Sequence, residues 1–177
     1  MNISVTKIDG SREPYNADKI NRAIEVATRG LDDQIQKVVQ IASELSLTLF
    51  DGITTRQLDE AAINAALQNV KDDPDYDTVA ARLLLKTIYK QVLGDYETYD
   101  DLLKLHQSEF PNYIKSAVKD GLLDKRMADS NVFDLKKLAS VLDPSRDGLS
   151  KYLGVITNRN RPRRRWLARR AVSRRCA

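Results

Sequence analysis

The sequence predicts a mainly α fold of the α+β class: a four-helix bundle capped by a small β-hairpin or three-stranded sheet, then an irregular helical segment and a basic tail. Three observations carry that expectation. The chain opens on an alternating, β-rich stretch closed by Asp9-Gly10. Apolar residues then recur at helical spacing in four capped runs that end at Gly94. From Asn158 onward the composition changes abruptly to arginine without lysine or acid.

The elements follow in order. Ile3-Ser4-Val5-Thr6-Lys7-Ile8 alternates, and Asp9-Gly10 marks a hairpin because both residues tolerate positive φ. Ser11-Arg12-Glu13-Pro14-Tyr15 is the returning strand, and Pro14, which lacks an N–H, places it at an edge or makes it short. Asn16 is a suitable N-cap for a helix from Ala17, along which Ile20, Ala23, Ile24 and Ala27 repeat before Gly30 stops it. A second helix is expected from Asp32 to Leu47, with Ile35, Val38, Val39, Ala42 and Leu45 on its inner face. Leu47-Thr48-Leu49-Phe50 reads as a short strand ended by Asp51-Gly52. Thr55 is expected to cap a third helix bearing Leu58, Ala62, Ala65 and Ala66. Asp75 or Asp77 starts a fourth, with Ala80, Leu84, Ile88 and Val92 inside and Gly94 at its end. Four such helices make a bundle with an open end, and a small sheet is its natural cover. Beyond Tyr96 the pattern is helical but broken, with candidates at Asp100 to Gln107, Asn112 to Leu122, Asp134 to Leu142 and Leu149 to Leu153. The expected segments are therefore residues 1–94, 95–157 and 158–177.

Composition excludes several classes. The single cysteine, Cys176, rules out an internal disulfide framework and a cysteine-based zinc site. No apolar run is long enough for a transmembrane helix, and the N-terminus has no secretory pattern, so a soluble cytoplasmic protein without membrane contact is expected. The formal net charge of +4 hides a split. Removing the tail's nine arginines from 29 basic residues leaves 20 against 25 acids, a mildly acidic body of about −5 joined to a strongly basic tail.

Three lysines are candidates for chemistry. Ile3, Val5 and Lys7 share one parity, so either Lys7 points at the helices and needs an anion, or its stem packs while its head reaches water. Lys19 lies in the first turn of the first helix, where the dipole disfavours a cation unless an anion binds there. Lys90, near the end of the fourth helix, is favourable in any case.

The run Val5-Thr6-Lys7-Ile8-Asp9-Gly10, followed by Tyr15-Asn16-Ala17-Asp18-Lys19-Ile20, resembles the signature of the ATP-cone. This is the nucleotide-sensing regulatory domain at the front of the ribonucleotide reductase large subunit. Asp51-Gly52-Ile53-Thr54-Thr55 resembles the next segment of that family, and Ala80-Ala81-Arg82-Leu83-Leu84 with Lys90 resembles its fourth-helix segment. The resemblance implies a site for ATP or dATP as allosteric effector, accompanied by Mg²⁺. Carried over by position, Val5, Tyr15 and Ile20 flank the adenine, Glu13 and Asn16 face the base or ribose, and Thr55 offers a hydroxyl. Lys7, Lys19 and Lys90 line the pocket, with Lys7 and Lys90 the phosphate partners. A triphosphate of about four negative charges needs several cations, and lysine serves as a point charge. The chain departs from the family at Ile8, where many members carry arginine, and at Asp59 and Thr87, where some related reductases carry histidine. An aspartate near a triphosphate suggests either Mg²⁺ held at Asp59 or a weakened or lost nucleotide site.

The same resemblance makes residues 95–157 the helical linker to a catalytic barrel that this chain lacks, with Lys151-Tyr152-Leu153-Gly154 a run common there. In the full enzyme, ribonucleoside-diphosphate reductase, the expected partners are the radical-generating small subunit and other large subunits. The chain alone is expected to be inactive, because one cysteine cannot supply a redox pair plus a radical thiol. His106, the only histidine, reads as an ordinary surface or packed residue. The tail, with Trp166 among its arginines, is either an arm for RNA or DNA or the product of a changed reading frame near Arg161 or Pro162, and is expected to be disordered. Two other readings of the chain stand beside the regulatory one: a small nucleic-acid-binding protein acting through its tail, and a helical interaction module without ligand. A reductase-gene repressor also carries an ATP-cone, but with a four-cysteine zinc ribbon that is absent here.

Overall fold

Ser4–Thr6 (β1) and Arg12–Pro14 (β2) form the ribbon that the Asp9-Gly10 signal requires, with Gly10 at φ 84° and Asp9 Oδ1 accepting from Ser11 N and Oγ. The structure is a computed structural model and describes residues 3–7, 9–94, 98–130 and 132–160. Val5 pairs with Glu13 across the antiparallel ribbon. On its other side β1 pairs in parallel with Ile53–Thr54 (β3), giving the order β2-β1-β3. Pro14 thus lies on an edge strand, as its missing N–H demands.

The third strand is not at residues 47–50. Leu47 is still αR and 86% exposed, Thr48 Oγ1 closes back on Leu45 O, and the chain turns only at Gly52, φ 82°. Gly52 N then donates to Ser4 O and opens the parallel pairing. The cap of the next helix moves one residue too. Thr54, rather than Thr55, is the N-cap, because Gln57 stands three residues on and completes a capping box.

Four helices form the bundle: Ala17–Thr28 (α1), Gln34–Ser46 (α2), Thr55–Gln68 (α3) and Asp75–Leu93 (α4). Asn16 caps α1 through its Oδ1, which accepts from Asp18 N. The core is aliphatic and small: Ile24, Ala27, Ile41, Leu45, Ala62, Ala66, Val79, Ala80 and Leu84 lie in it. The face of α2 differs from the periodicity. Ile35 and Val39 are 81% and 59% exposed, while Lys37, at 2%, takes the inner position. Lys37 Nζ lies 2.6 Å from Asp73 Oδ2 and 3.8 Å from Asp75 Oδ2, donates to Asp32 O at 2.7 Å, and stands over the Tyr76 ring. A buried ammonium so fully partnered lets the helix turn its lysine inward. On α4, Ile88 packs on the core, whereas Val92 is 68% exposed and belongs to the second unit.

The chain divides into two units, residues 1–88 with 150–177, and residues 89–149. In the first, a helix over residues 152–160 (α7) adds buried Val155 to the bundle core, and Lys151 Nζ donates to Thr78 Oγ1 at 2.7 Å. This helix replaces the short one expected at Leu149 to Leu153, and residues 158–160 of the expected tail continue it. Residues 161–177, with the expectations of disorder and nucleic-acid binding, lie outside the described residues.

The second unit is built on one helix, Tyr99–Lys119 (α5), where two had been expected. Pro111 costs α5 a hydrogen bond at Gln107 but does not end it, since Leu102, Ile114 and Ala117 on either side bury a shared face. Leu135–Ser140 (α6), capped by Asp134, and two short 3-10 turns complete the unit. Tyr99 OH donates to Asp143 and Tyr89 OH to Asp147, and the His106 ring meets Tyr89 edge-on at 5.3 Å. Burial pushes the His106 pKa down, so the imidazole stays neutral and packed.

Candidate functional site

Pleating decides which side chains meet at the ribbon. Directly paired residues share a face, so Val5 and Glu13 point the same way, and Lys7 and Tyr15, two residues along, follow them. This face looks onto the start of α1 and the N-terminal part of α3. Val5, Ile53 and Leu58, at 4%, 2% and 6% exposure, form a small apolar floor, and Tyr15, Ile20 and Leu49 pack around it. Burial raises the pKa of the Tyr15 phenol and keeps it neutral.

Beside that floor stands a charge cluster. Lys7 Nζ lies 2.8 Å from Glu13 Oε2, and Lys19 Nζ lies 3.1 Å from Glu13 Oε1. The Lys7 side chain is 44% exposed, so its ammonium is not buried against the helices and meets the Glu13 carboxylate near the surface. Hydrogen bonding from Lys7, and then from Lys19, holds the Glu13 carboxyl below its ordinary pKa. A second clamp fixes the strand that carries Val5: Asp51 Oδ1 accepts from Ser4 N and Ser4 Oγ, which lowers the Asp51 pKa.

The remaining candidates are placed as follows. Asn16 is committed through its Oδ1 to capping α1, which leaves its amide NH₂ as the group able to face a ligand. Thr55 is the first, half-buried residue of α3, and Asp59 lies one turn further on the same face. Thr87 closes its hydroxyl onto Leu84 O. Lys90 is exposed in the last turn of α4, within the second unit. Ile8 lies outside the described residues. Sequence reading missed Ile53 as part of the floor, because the strand was sought before Asp51-Gly52 rather than after it, and it gave Leu49 to that strand rather than to the floor's edge.

Among the described residues, no three of His, Cys, Asp and Glu gather to hold a metal ion. A resident metal at Asp59 therefore has no donor set of its own. A depression on the second unit, lined by Val132, Phe133, Asp134, Lys137, Leu138 and Val141, is mostly apolar, and its one carboxylate is spent capping α6.

Residues 3–91, which contain the ribbon, the floor and the bundle, match the ATP cone domain. The chain belongs to the ATP-cone family. It is also similar to the N-terminal region of larger proteins. It is 30% identical over 160 residues to ribonucleoside-diphosphate reductase 1 subunit alpha of Escherichia coli K12, covering 88% of this chain and 19% of that protein. With the ribonucleoside-diphosphate reductase subunit alpha of Haemophilus influenzae it shares 37% over 111 residues, 60% of this chain and 14% of the relative. The Helicobacter pylori subunit alpha gives 30% over 156 residues, 88% and 18%. The cone and its following helices thus span less than a fifth of the length of these relatives.

Proposed function

We propose that the cone is an allosteric effector site for ATP or dATP in the large subunit of a ribonucleotide reductase, acting on deoxyribonucleotide synthesis. The observation that carries this reading is the convergence of Lys7 and Lys19 on one side of the apolar floor made by Val5, Ile53 and Leu58. An apolar shelf with cations at its edge is what a flat aromatic base joined to a polyphosphate requires. Val5, Tyr15 and Ile20 hold the adenine face, Glu13 and Asn16 read the base or ribose edge, and Thr55 adds a hydroxyl. Lys7 and Lys19 take the phosphates. Mg²⁺ arrives with the nucleotide as its counter-ion, and Asp59 lies on the face of α3 where it can meet that ion.

A nucleotide held this way ties together the ribbon, the start of α1 and the start of α3. It regulates by binding one arrangement of the cone more tightly than another, and so shifts the assembly of the large subunit with its small subunit and with other large subunits. Calorimetry of the full chain with ATP and dATP, each with and without Mg²⁺, tests the reading. Saturable one-to-one heats in the micromolar to high-micromolar range are expected. Absence of heat together with an unmoved melting temperature at millimolar nucleotide would retire it.

A further inference from the structure

One carboxylate serves two ammonium groups that come from separate elements. Glu13 gives Oε2 to Lys7, at the end of β1, and Oε1 to Lys19, in the first turn of α1. Its backbone is fixed opposite Val5 in the ribbon, and its side chain is only 30% exposed. Any phosphate that approaches either lysine therefore meets a negative group already in contact with it, and two anions cannot share these cations without repulsion.

Building on the effector reading above, we propose that Glu13 is an internal competitor for phosphate, displaced from Lys7 and Lys19 when a polyphosphate binds. The exchange is one of partners. The two lysines pass from a single carboxylate to phosphate oxygens, and the freed carboxylate turns to an N–H or O–H donor on the ligand. This sets a selectivity by ligand class. A neutral nucleoside gains nothing from lysines that are already paired. A bare polyphosphate displaces Glu13 but leaves it without a donor. A nucleoside triphosphate satisfies all three groups.

The test is calorimetry of the full chain with sodium tripolyphosphate, free of Mg²⁺, on the wild type, Glu13→Gln and Asp18→Asn. Glu13→Gln removes the competing charge and keeps the side-chain size. Asp18→Asn removes one charge from the same helix start without touching the bridge. Tripolyphosphate is expected to bind Glu13→Gln roughly threefold to thirtyfold more tightly than wild type, the range for releasing two exposed ion pairs. Asp18→Asn should change it by less than about threefold, as an unbridged surface charge does. Unchanged affinity in Glu13→Gln, or an equal gain in Asp18→Asn, overturns the proposal. If the glutamine disturbs the ribbon by circular dichroism, Glu13→Ser must show the same gain or the proposal falls. An ATP titration of the wild type is run beside these. Lack of ATP binding retires the effector reading, whereas ATP binding with no gain in Glu13→Gln retires only the competition.

Discussion

Lysines carry most of the charge chemistry at the residue scale, and they do so in two different ways. Lys7 and Lys19 are exposed and held by a half-buried carboxylate, so their pairing contributes little to stability and is available for exchange. Lys7→Ala and Lys19→Ala should each weaken ATP binding roughly five- to thirtyfold, between the effect of an exposed ion pair and that of a charged hydrogen bond, with melting temperatures almost unchanged. Calorimetry with parallel thermal melts checks both halves of that statement. Lys37 is the opposite case. It is buried, and its removal leaves Asp73 and Asp75 without the cation they share. Lys37→Ala should cost about 2–4 kcal/mol in urea unfolding, and Lys37→Met less because the apolar stem is kept. The pH dependence has a definite sign. Accepting from Lys37, Asp73 raises the lysine pKa above its ordinary 10.5, while Lys37 lowers that of Asp73 below 3.8. The lysine's share of stability is full below pH 10.5 and lost as pH rises through its higher folded value. The carboxylate's share is full above pH 3.8 and lost as pH falls through its lower folded value. The difference in urea midpoint between wild type and Lys37→Met should therefore be flat between these limits and shrink outside them.

At the scale of elements, caps and breakers explain both what was legible and what was not. The hairpin, the Asn16 cap and the buried face of α3 were readable because each rests on a local signal: Asp9-Gly10, an Asn before an apolar run, and a strict repeat of Leu58, Ala62, Ala65 and Ala66. The start of α3 was misplaced by one residue because two threonines adjoin and only Gln57 decides between them. Thr54→Ala should cost about 1 kcal/mol, and Thr55→Ala much less, in chemical denaturation. The rotation of α2 was not legible, since it depends on Asp73 and Asp75, which lie far along the chain from Lys37. Arg82 is a similar long-range device: its Nη1 donates to Ala27 O and Arg29 O at 2.9 and 2.8 Å and closes the end of α1. Arg82→Ala should destabilise the bundle by about 1–3 kcal/mol, measured the same way, because two carbonyls at a helix end lose a charged donor. Two helices were expected on either side of Pro111, yet burial of Leu102, Ile114 and Ala117 on one face of α5 outweighs the missing hydrogen bond.

For the molecule as a whole, the sheet covers one end of the bundle and brings the ribbon face over the beginnings of α1 and α3, so the ribbon, the floor and the Glu13 cluster belong to the first unit. The family was legible from short motifs spread along the first half of the chain. The course of residues 150–160 was not, because nothing local says that Val155 joins a core begun at Ile24. The central claim is that an adenine nucleotide is held by the ribbon face and not elsewhere. Backbone amide shift mapping of the full chain by NMR during an ATP titration tests it most directly. The account predicts shifts clustered at residues 4–7, 12–20 and 53–59, with residues 125–149 unmoved. Shifts confined to the second unit, or none at saturating ATP, would contradict it.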